Sequence, residues 1–238
     1  MAERTSAGST APDLAPPEAA RLIFGSALPV AQAYAALLAD AGIERGLIGP
    51  GERARIWDRH LLNSAVVAEL LPGKSLIVDL GSGAGLPGLV LAMLLPDAEV
   101  ILVEPMERRT AFLSECAVAL ELGNVTVRRG RAEDLAGQLA ADVVVSRAVA
   151  KLGRLAGLAV GLARPRAEVL AIKGASAAAE VATAGPILRR LAVTDVEILT
   201  LGGELLSQPT TVIRFRTSAN NRRATAETGR GPVKRSRG

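Results

Sequence analysis

Ser75-Leu-Ile-Val-Asp79-Leu-Gly81-Ser-Gly83-Ala-Gly85-Leu-Pro-Gly88 is an apolar run that ends in an acid and a glycine-rich turn. Residues 76–80 read as a parallel strand buried on both faces, because apolar side chains alternate to either side of it. Gly81, Gly83 and Gly85 remove Cβ atoms where the backbone must turn sharply and admit a ligand closely. Residues 86–95 read as a helix with Pro87 near its first turn, where a missing N–H costs little. Strand, glycine turn and helix N-terminus in that order predict an α/β fold with a ligand cradle at the carboxyl edge of its sheet.

Two ligands suit such a cradle. Gly83-Ala-Gly85-Leu-Pro-Gly88 matches the G-x-G-x-x-G dinucleotide pattern, so an NAD(P)-dependent oxidoreductase is one reading. Asp79 favours the other: a carboxylate just before the turn repels a pyrophosphate and suits a cationic ligand end, such as the amino-acid portion of S-adenosylmethionine. A glycine-rich turn with no ligand is the third possibility.

Length and composition narrow the class. A chain of 238 residues holds one α/β domain with a helical extension. Aromatic residues are 2% of it, so Leu, Val, Ile and Ala build the core, which argues against reading single-stranded nucleic acid by stacking many bases on aromatic rings. The lone Cys116 excludes an internal disulfide and a zinc cluster; no metal site is expected. Residues 1–17 are rich in Ala, Ser and Pro without an apolar signal-peptide core, and the run 86–95, read as the longest uncharged apolar one, is too short to span a bilayer. The expectation is a cytoplasmic protein, not membrane-bound, with a monomer favoured.

The net charge of +4 is unevenly spread. Residues 217–238 carry six basic residues against Glu227, which leaves the rest of the chain near −1. That basic tail, poor in apolar residues, reads as disordered, and serves either RNA phosphates or solubility. Residues 1–17 read as a second disordered segment.

Between the tails, helix-periodic segments at 19–24, 28–41 and 52–71 make an N-terminal helical cap over 18–72, closed by Pro72-Gly73. On its last helix, Ile56, His60 and Asn63 share one face, with His60 the only histidine and Trp57 a core anchor. From 73 to 216 strand and helix signals alternate. Strands are expected at 99–103, 125–127, 142–145 and 169–172, with helices at 106–122 and from 176, the latter broken at Gly185-Pro186. Two β-rich runs, 193–200 and 210–215, close the body as a hairpin. This antiparallel ending matches the seven-stranded Rossmann-like sheet of class I methyltransferases and is absent from the dinucleotide-binding sheet.

Residues at the carboxyl ends of parallel strands point into the ligand crevice. Asp79, Glu104, Glu133 with Asp134, Ser146-Arg147 and Lys173 fall there. Glu104 is placed to bind two ribose hydroxyls. Glu133 is placed to accept from an adenine amino group.

At this point the chain resembles a known family. Trp57-Asp-Arg-His60-Leu-Leu-Asn-Ser64, Val78-Asp-Leu-Gly-Ser-Gly-Ala-Gly-Leu-Pro-Gly88, Arg131-Ala-Glu-Asp134, Ser146-Arg-Ala148 and Lys173-Gly174 occur in that order. They are similar to the glucose-inhibited division protein B family, the small-subunit (16S) ribosomal RNA guanine-N7 methyltransferases. The resemblance runs from about 28 to 216, and departs at Asn63-Ser64, where the family usually has Asp-Ser, and in the region 45–50. It implies an S-adenosyl-L-methionine cofactor, 16S rRNA of the small ribosomal subunit as partner, and methyl transfer to N7 of one guanine. The cofactor-binding set it implies is Asp79, Gly81, Ser82, Gly83, Gly85 and Leu86 at the turn, Glu104, then Ala132 and Glu133, and finally Arg147.

Guanine N7 carries a lone pair and no proton, so its methylation needs geometry rather than a general base. Methylation at cytosine C5 requires a cysteine nucleophile, and Cys116 lies mid-helix as packing. Exocyclic-amine methyltransferases commonly place an Asp/Asn-Pro-Pro-aromatic turn where this chain has Ser146-Arg147-Ala148. Arg147 is therefore the candidate for positioning the substrate, by a phosphate or guanine O6, with Lys173 a second candidate for a phosphate. A non-catalytic rRNA-binding protein with a retained methyltransferase fold is the competing class.

Overall fold

The computed structural model describes residues 14–71 and 75–221; most of the two stretches read as disordered, and the Pro72-Gly73 stop, lie outside the described residues. At the centre is β1 (Leu76–Leu80), parallel to β2 (Glu99–Glu104) on one side and β4 (Ala141–Arg147) on the other. β3 (Val125–Arg129) pairs parallel to β2, and β5 (Ala163–Lys173) parallel to β4. The hairpin of β6 (Thr194–Leu201) and β7 (Thr210–Arg216) then inserts β7 antiparallel against β5. The order is β3-β2-β1-β4-β5-β7-β6.

The alternation of side chains along each strand feeds two cores. Ile77, Val100 and Leu102 pack on one face with α4 (Gly88–Leu94) and α5 (Glu107–Ala119). Val78, Leu80, Ile101 and Val103 pack on the other with α6 (Leu152–Leu162) and α7 (Ala177–Arg190).

The cap begins with α1 (Glu18–Phe24) and α2 (Leu28–Leu37). It has no core of its own: Phe24, Tyr34, Leu38, Trp57 and Leu61 belong to the α4–α5 face of the sheet. Trp57 meets Phe24 edge-on at 6.2 Å and donates its indole N–H to the Leu14 carbonyl at 2.9 Å.

Several expectations need correction. The uncharged run 22–39 is longer than 86–95, and it falls within Glu18–Gly42, the one helical stretch among the described residues that is long and apolar enough to cross a membrane by length and composition. Its Tyr34 and Leu38 are wholly buried, and both belong to the core on the α4–α5 face of the sheet. The single amphipathic helix expected over 52–71 changes pitch repeatedly: a 3-10 segment Pro50–Arg55, a π segment Ile56–Leu62, a short α3 (Asn63–Ala65) and a 3-10 segment Val66–Leu70. Ser64 contributes to this by turning its hydroxyl back onto the His60 carbonyl at 2.7 Å, a bond that distorts helices. In the widened π turn Ile56, Trp57, His60, Leu61 and Leu62 are all buried.

Helix α6 is new: Gly153, Gly157 and Gly161 dilute its helical signal, and β5 accordingly starts at Ala163 rather than 169. Helix α7 runs unbroken through Pro186, because Leu188 is buried and Ile187 packs against Gly153 of α6 closely enough to hold it. The body also extends past 216. Thr217 accepts from the Ala167 N–H at 2.9 Å, and the Asn221 amide donates to the Val160 and Ala163 carbonyls at 2.9 and 2.8 Å.

Candidate active site

The glycine turn is held from three sides. The Gly81 and Ser82 amides donate to the Val103 carbonyl of β2 at 2.9 and 3.1 Å. The Tyr34 hydroxyl, from the cap, donates to the Ala84 carbonyl at 2.6 Å. Gly88 opens α4 with its amide donating to Asp79 Oδ2 at 3.0 Å; a Cβ on Gly88 would stand 2.7 Å from that oxygen, so only glycine admits this approach. Gly81, at φ 73°, adopts a left-handed conformation that a side chain resists, and its Cβ would lie 2.5 Å from Val149 Cγ2.

Asp79 is entirely buried, and its Oδ1 has no hydrogen-bond partner. Burial pushes its carboxyl up to about 7, against the lowering effect of the Gly88 N–H and the Arg147 charge. At the end of β2, Glu104 accepts from the Met106 amide through Oε1 at 3.1 Å and from the Gly83 amide through Oε2 at 3.0 Å. Oε2 also faces the Arg109 guanidinium at 3.6 Å, and Oε1 keeps a second lone-pair direction for a further donor.

A cavity of about 370 Å³ opens over this turn, within the usual range for a small-molecule site. Of the sequence-derived cofactor residues, Gly81, Ser82, Gly83, Leu86, Glu104 and Arg147 line it. Gly85 faces away, toward Leu89 and the Tyr34 hydroxyl, and Asp79 sits behind the wall. Ala132 and Glu133, the other two residues of the expected cofactor set, do not line this cavity. After β3 the backbone turns, with the Gly130 amide on the Glu104 carbonyl; Ala132 then packs into the α6–α7 core, and Glu133 reaches outward to Arg154 at 3.6 Å. Sequence reasoning also missed residues that form the site. Met106, exposed in the cavity beside Glu104, offers an apolar surface for a base, and Ile48 of the cap lines the same space. Tyr34 is the only tyrosine in an aromatic-poor chain, the one signal that could have marked it.

A second, larger basin of about 1160 Å³ lies between the cap and the carboxyl ends of β4 and β5. Arg147, Ala148 and Val149 line both spaces and so form the wall between them. Arg147, at the end of β4 rather than in a loop after it, donates to the Arg59 carbonyl at 3.1 Å and to His60 Nδ1 at 2.9 Å. Arginine has donors only, so Nδ1 is the acceptor and His60 carries its proton on Nε2, which donates to Glu52 Oε2 at 2.8 Å. Burial, followed by the Arg147 charge, pulls the His60 pKa down to about 4, so the ring is neutral near pH 7. Asn63 turns instead to the Thr210 hydroxyl at 2.8 Å, and Ile56 is buried in the core, so the three residues expected on one face serve different neighbours.

Lys173 lines the basin but is committed elsewhere. Its ammonium pairs with Glu180 at 2.8 Å and donates to the Ala150 carbonyl at 2.7 Å, while Glu180 also accepts from the Leu152 amide that begins α6. In this arrangement Lys173 ties the end of the wall segment to α7.

The strand order with a reversed β7, the glycine turn after β1 and the acid ending β2 define a class I S-adenosylmethionine-dependent methyltransferase fold, and they decide the glycine turn against the dinucleotide reading. Solved structures of that class superpose on it. An S-adenosylmethionine-dependent O-methyltransferase from Thermotoga maritima covers 66% of this chain and 64% of its own, with a TM-score of 0.53 at 14% identity. TYW2 of M. jannaschii, solved with AdoMet, covers 68% and 78%, with a TM-score of 0.51 at 16% identity.

The family described as rRNA small subunit methyltransferase G (GidB) matches residues 28–205, and the chain belongs to that family. Its relatives include the ribosomal RNA small subunit methyltransferase G of Thermobifida fusca, 52% identical over 84% of both chains. The protein of the same name from Mycobacterium sp. (strain JLS) is 48% identical over 94% of this chain and 97% of its own.

Proposed function

We propose that this protein transfers a methyl group from S-adenosyl-L-methionine to N7 of a specific guanine in 16S rRNA of the small ribosomal subunit, in the cytoplasm. The observation that carries the reading is the shared wall: Arg147 borders both the glycine-turn cavity and the larger basin. The family name of the relatives supplies the class of RNA.

The residues present fit the cofactor. Glu104 offers paired oxygens suited to two ribose hydroxyls, Met106 an apolar face, and the glycine turn a surface without side chains. Asp79, buried with an unpartnered oxygen, complements a cationic end from behind the turn. When bound, S-adenosylmethionine supplies an electrophilic methyl group on a sulfonium.

The chain's own residues then position and tolerate. Both ring nitrogens of His60 are engaged and Lys173 is paired, so neither stands ready as a general base, in keeping with an acceptor nitrogen that has no proton to lose. Arg147 holds a phosphate or guanine O6 and leaves N7 toward the wall. Arg55, Arg59 and Lys151 line the basin for further phosphates, and Glu52 and Asp58 offset the positive charge of an N7-methylated ring.

The test is incubation of the full chain with radiolabelled S-adenosylmethionine and small-subunit rRNA, free or in assembled subunits, followed by chemical mapping of N7-methylguanine. Transfer to one guanine is the expected result. Retained RNA binding without cofactor binding would return the protein to the RNA-binding class.

A further inference from the structure

Among the described residues Arg147 is the hydrogen-bond partner of His60 Nδ1, and the way it is held is unusual. A half-buried arginine is ordinarily paired with a carboxylate, which offsets its charge. Here a neutral imidazole stands between the guanidinium and Glu52, and Asp79, the other carboxylate that acts on it, does so through space without a hydrogen bond. His60 is 7% exposed, so the ring is fixed by packing as well as by its two hydrogen bonds. The Arg59 carbonyl takes a second donor of Arg147, which leaves three of its five N–H groups unspent at the boundary of both cavities. Glu52 is itself anchored by Arg59 at 3.2 Å.

We propose that Glu52 and His60 are positioning residues for Arg147: Glu52 fixes the His60 tautomer, and His60 aims the guanidinium at the RNA without cancelling its charge. The inference rests on the proposed methyl transfer to guanine. Its physical content is that the Nδ1 lone pair, not the bulk of the ring, is what the reaction needs. A carboxylate placed directly on Arg147 would compete with an RNA phosphate or O6 for the same donors, whereas the imidazole spends one donor and no charge. The cap thereby acts in the reaction through one strand-end residue.

The experiment compares His60→Asn, His60→Gln and Glu52→Leu in the full chain, each alone and combined with Arg147→Lys. Asparagine presents an amide oxygen close to the Nδ1 position, so it keeps the acceptor for Arg147; glutamine presents its amide near Nε2 and loses that acceptor. Single-turnover methylation of small-subunit rRNA is expected to stay within about 3-fold of wild type for His60→Asn and to fall roughly 30-fold for His60→Gln, the scale of a misaligned group. Glu52→Leu is expected to fall roughly 10-fold by freeing the tautomer. The KM for S-adenosylmethionine is expected to stay within about 2-fold in all three.

In the Arg147→Lys background the His60→Gln and Glu52→Leu losses are expected to vanish, because both act through the guanidinium. Equal losses for Asn and Gln, additive losses with Arg147→Lys, or a matching rise in KM for S-adenosylmethionine would each overturn the proposal. Thermal unfolding identifies a variant that fails to fold, and the remaining variants then decide the comparison. If wild type itself transfers no methyl group to rRNA, the proposed function falls; if wild type is active and His60→Gln matches it, only the positioning role falls.

Discussion

Asp79→Asn trades stability against binding in a pH-dependent way. The Asp79 carboxyl is wholly buried and sits at about 7 instead of 3.8, driven first by desolvation. A folded-state pKa above the unfolded value means the folded protein prefers the protonated acid. The stability this gives is present below about 3.8 and is lost as pH rises through about 7. Above pH 7 the cost of holding the charge is about 4 kcal/mol. Asparagine cannot ionise and keeps an acceptor for the Gly88 amide, but its NH₂ group replaces an oxygen that has no partner, at about 1 kcal/mol. The variant is therefore expected to be less stable than wild type near pH 4 and more stable near pH 8, by about 3 kcal/mol, with the two curves crossing between. Urea unfolding of the full chain, followed by the fluorescence of the sole tryptophan Trp57, reads this difference directly. His60 titrates over part of the same range with the opposite sign, since its depressed pKa costs stability as pH falls from 6.5 toward about 4; subtracting the variant from wild type removes that contribution. Calorimetric titration is expected to show S-adenosylmethionine binding weakened roughly 30-fold, the loss of one charged partner worth about 2 kcal/mol. A pH-independent stability difference, or unchanged binding, refutes the reasoning.

Other substitutions probe the surrounding parts. Gly81→Ala places a Cβ 2.5 Å from Val149 on a backbone of φ 73°; it is expected to cost about 2 kcal/mol in urea unfolding and to push the wall segment into the cavity, weakening S-adenosylmethionine binding at least roughly tenfold. Tyr34→Phe leaves the Ala84 carbonyl without its donor and is expected to cost about 1.5 kcal/mol, with a matching loss of cofactor affinity that links the cap to the turn. Lys173→Met unpairs Glu180 and frees Ala150; it is expected to cost about 2 kcal/mol, less than a fully buried pair, and to raise the KM for RNA while leaving that for S-adenosylmethionine unchanged.

What the amino-acid sequence reveals here follows from how local each signal is. The run from Leu76 to Gly88 reads correctly because strand, turn and helix start are written in consecutive residues, and the closing hairpin reads correctly for the same reason. The position of Glu104 at a strand end reads correctly because the strand before it is strongly apolar. The surroundings of Glu133 are less legible: the third strand's end is known from sequence, but the direction of the turn after it depends on Gly130 meeting Glu104, a contact between distant residues. The pairing of Lys173 is hidden likewise, since its partner Glu180 belongs to a separate helix and only the fold joins them. Helix α6 escapes because its three glycines lower propensity while burial of Leu152, Leu155 and Leu162 supplies the stability. The assembly of Glu52, His60 and Arg147 is hidden for a related reason: a π-helical turn of the cap meets the end of the fourth strand, and neither feature has a period that sequence displays.

The central claim is that one wall, built on Arg147, separates a cofactor cavity from an RNA basin and that a guanine N7 is methylated across it. Mapping N7-methylguanine in 16S rRNA from cells with and without this protein, and with its Arg147→Ala form, tests this most directly. The account predicts one guanine whose N7 methylation is present with the protein, absent without it, and lost or strongly reduced with Arg147→Ala while cofactor binding persists. An N7-methylation pattern identical in all three strains would contradict it.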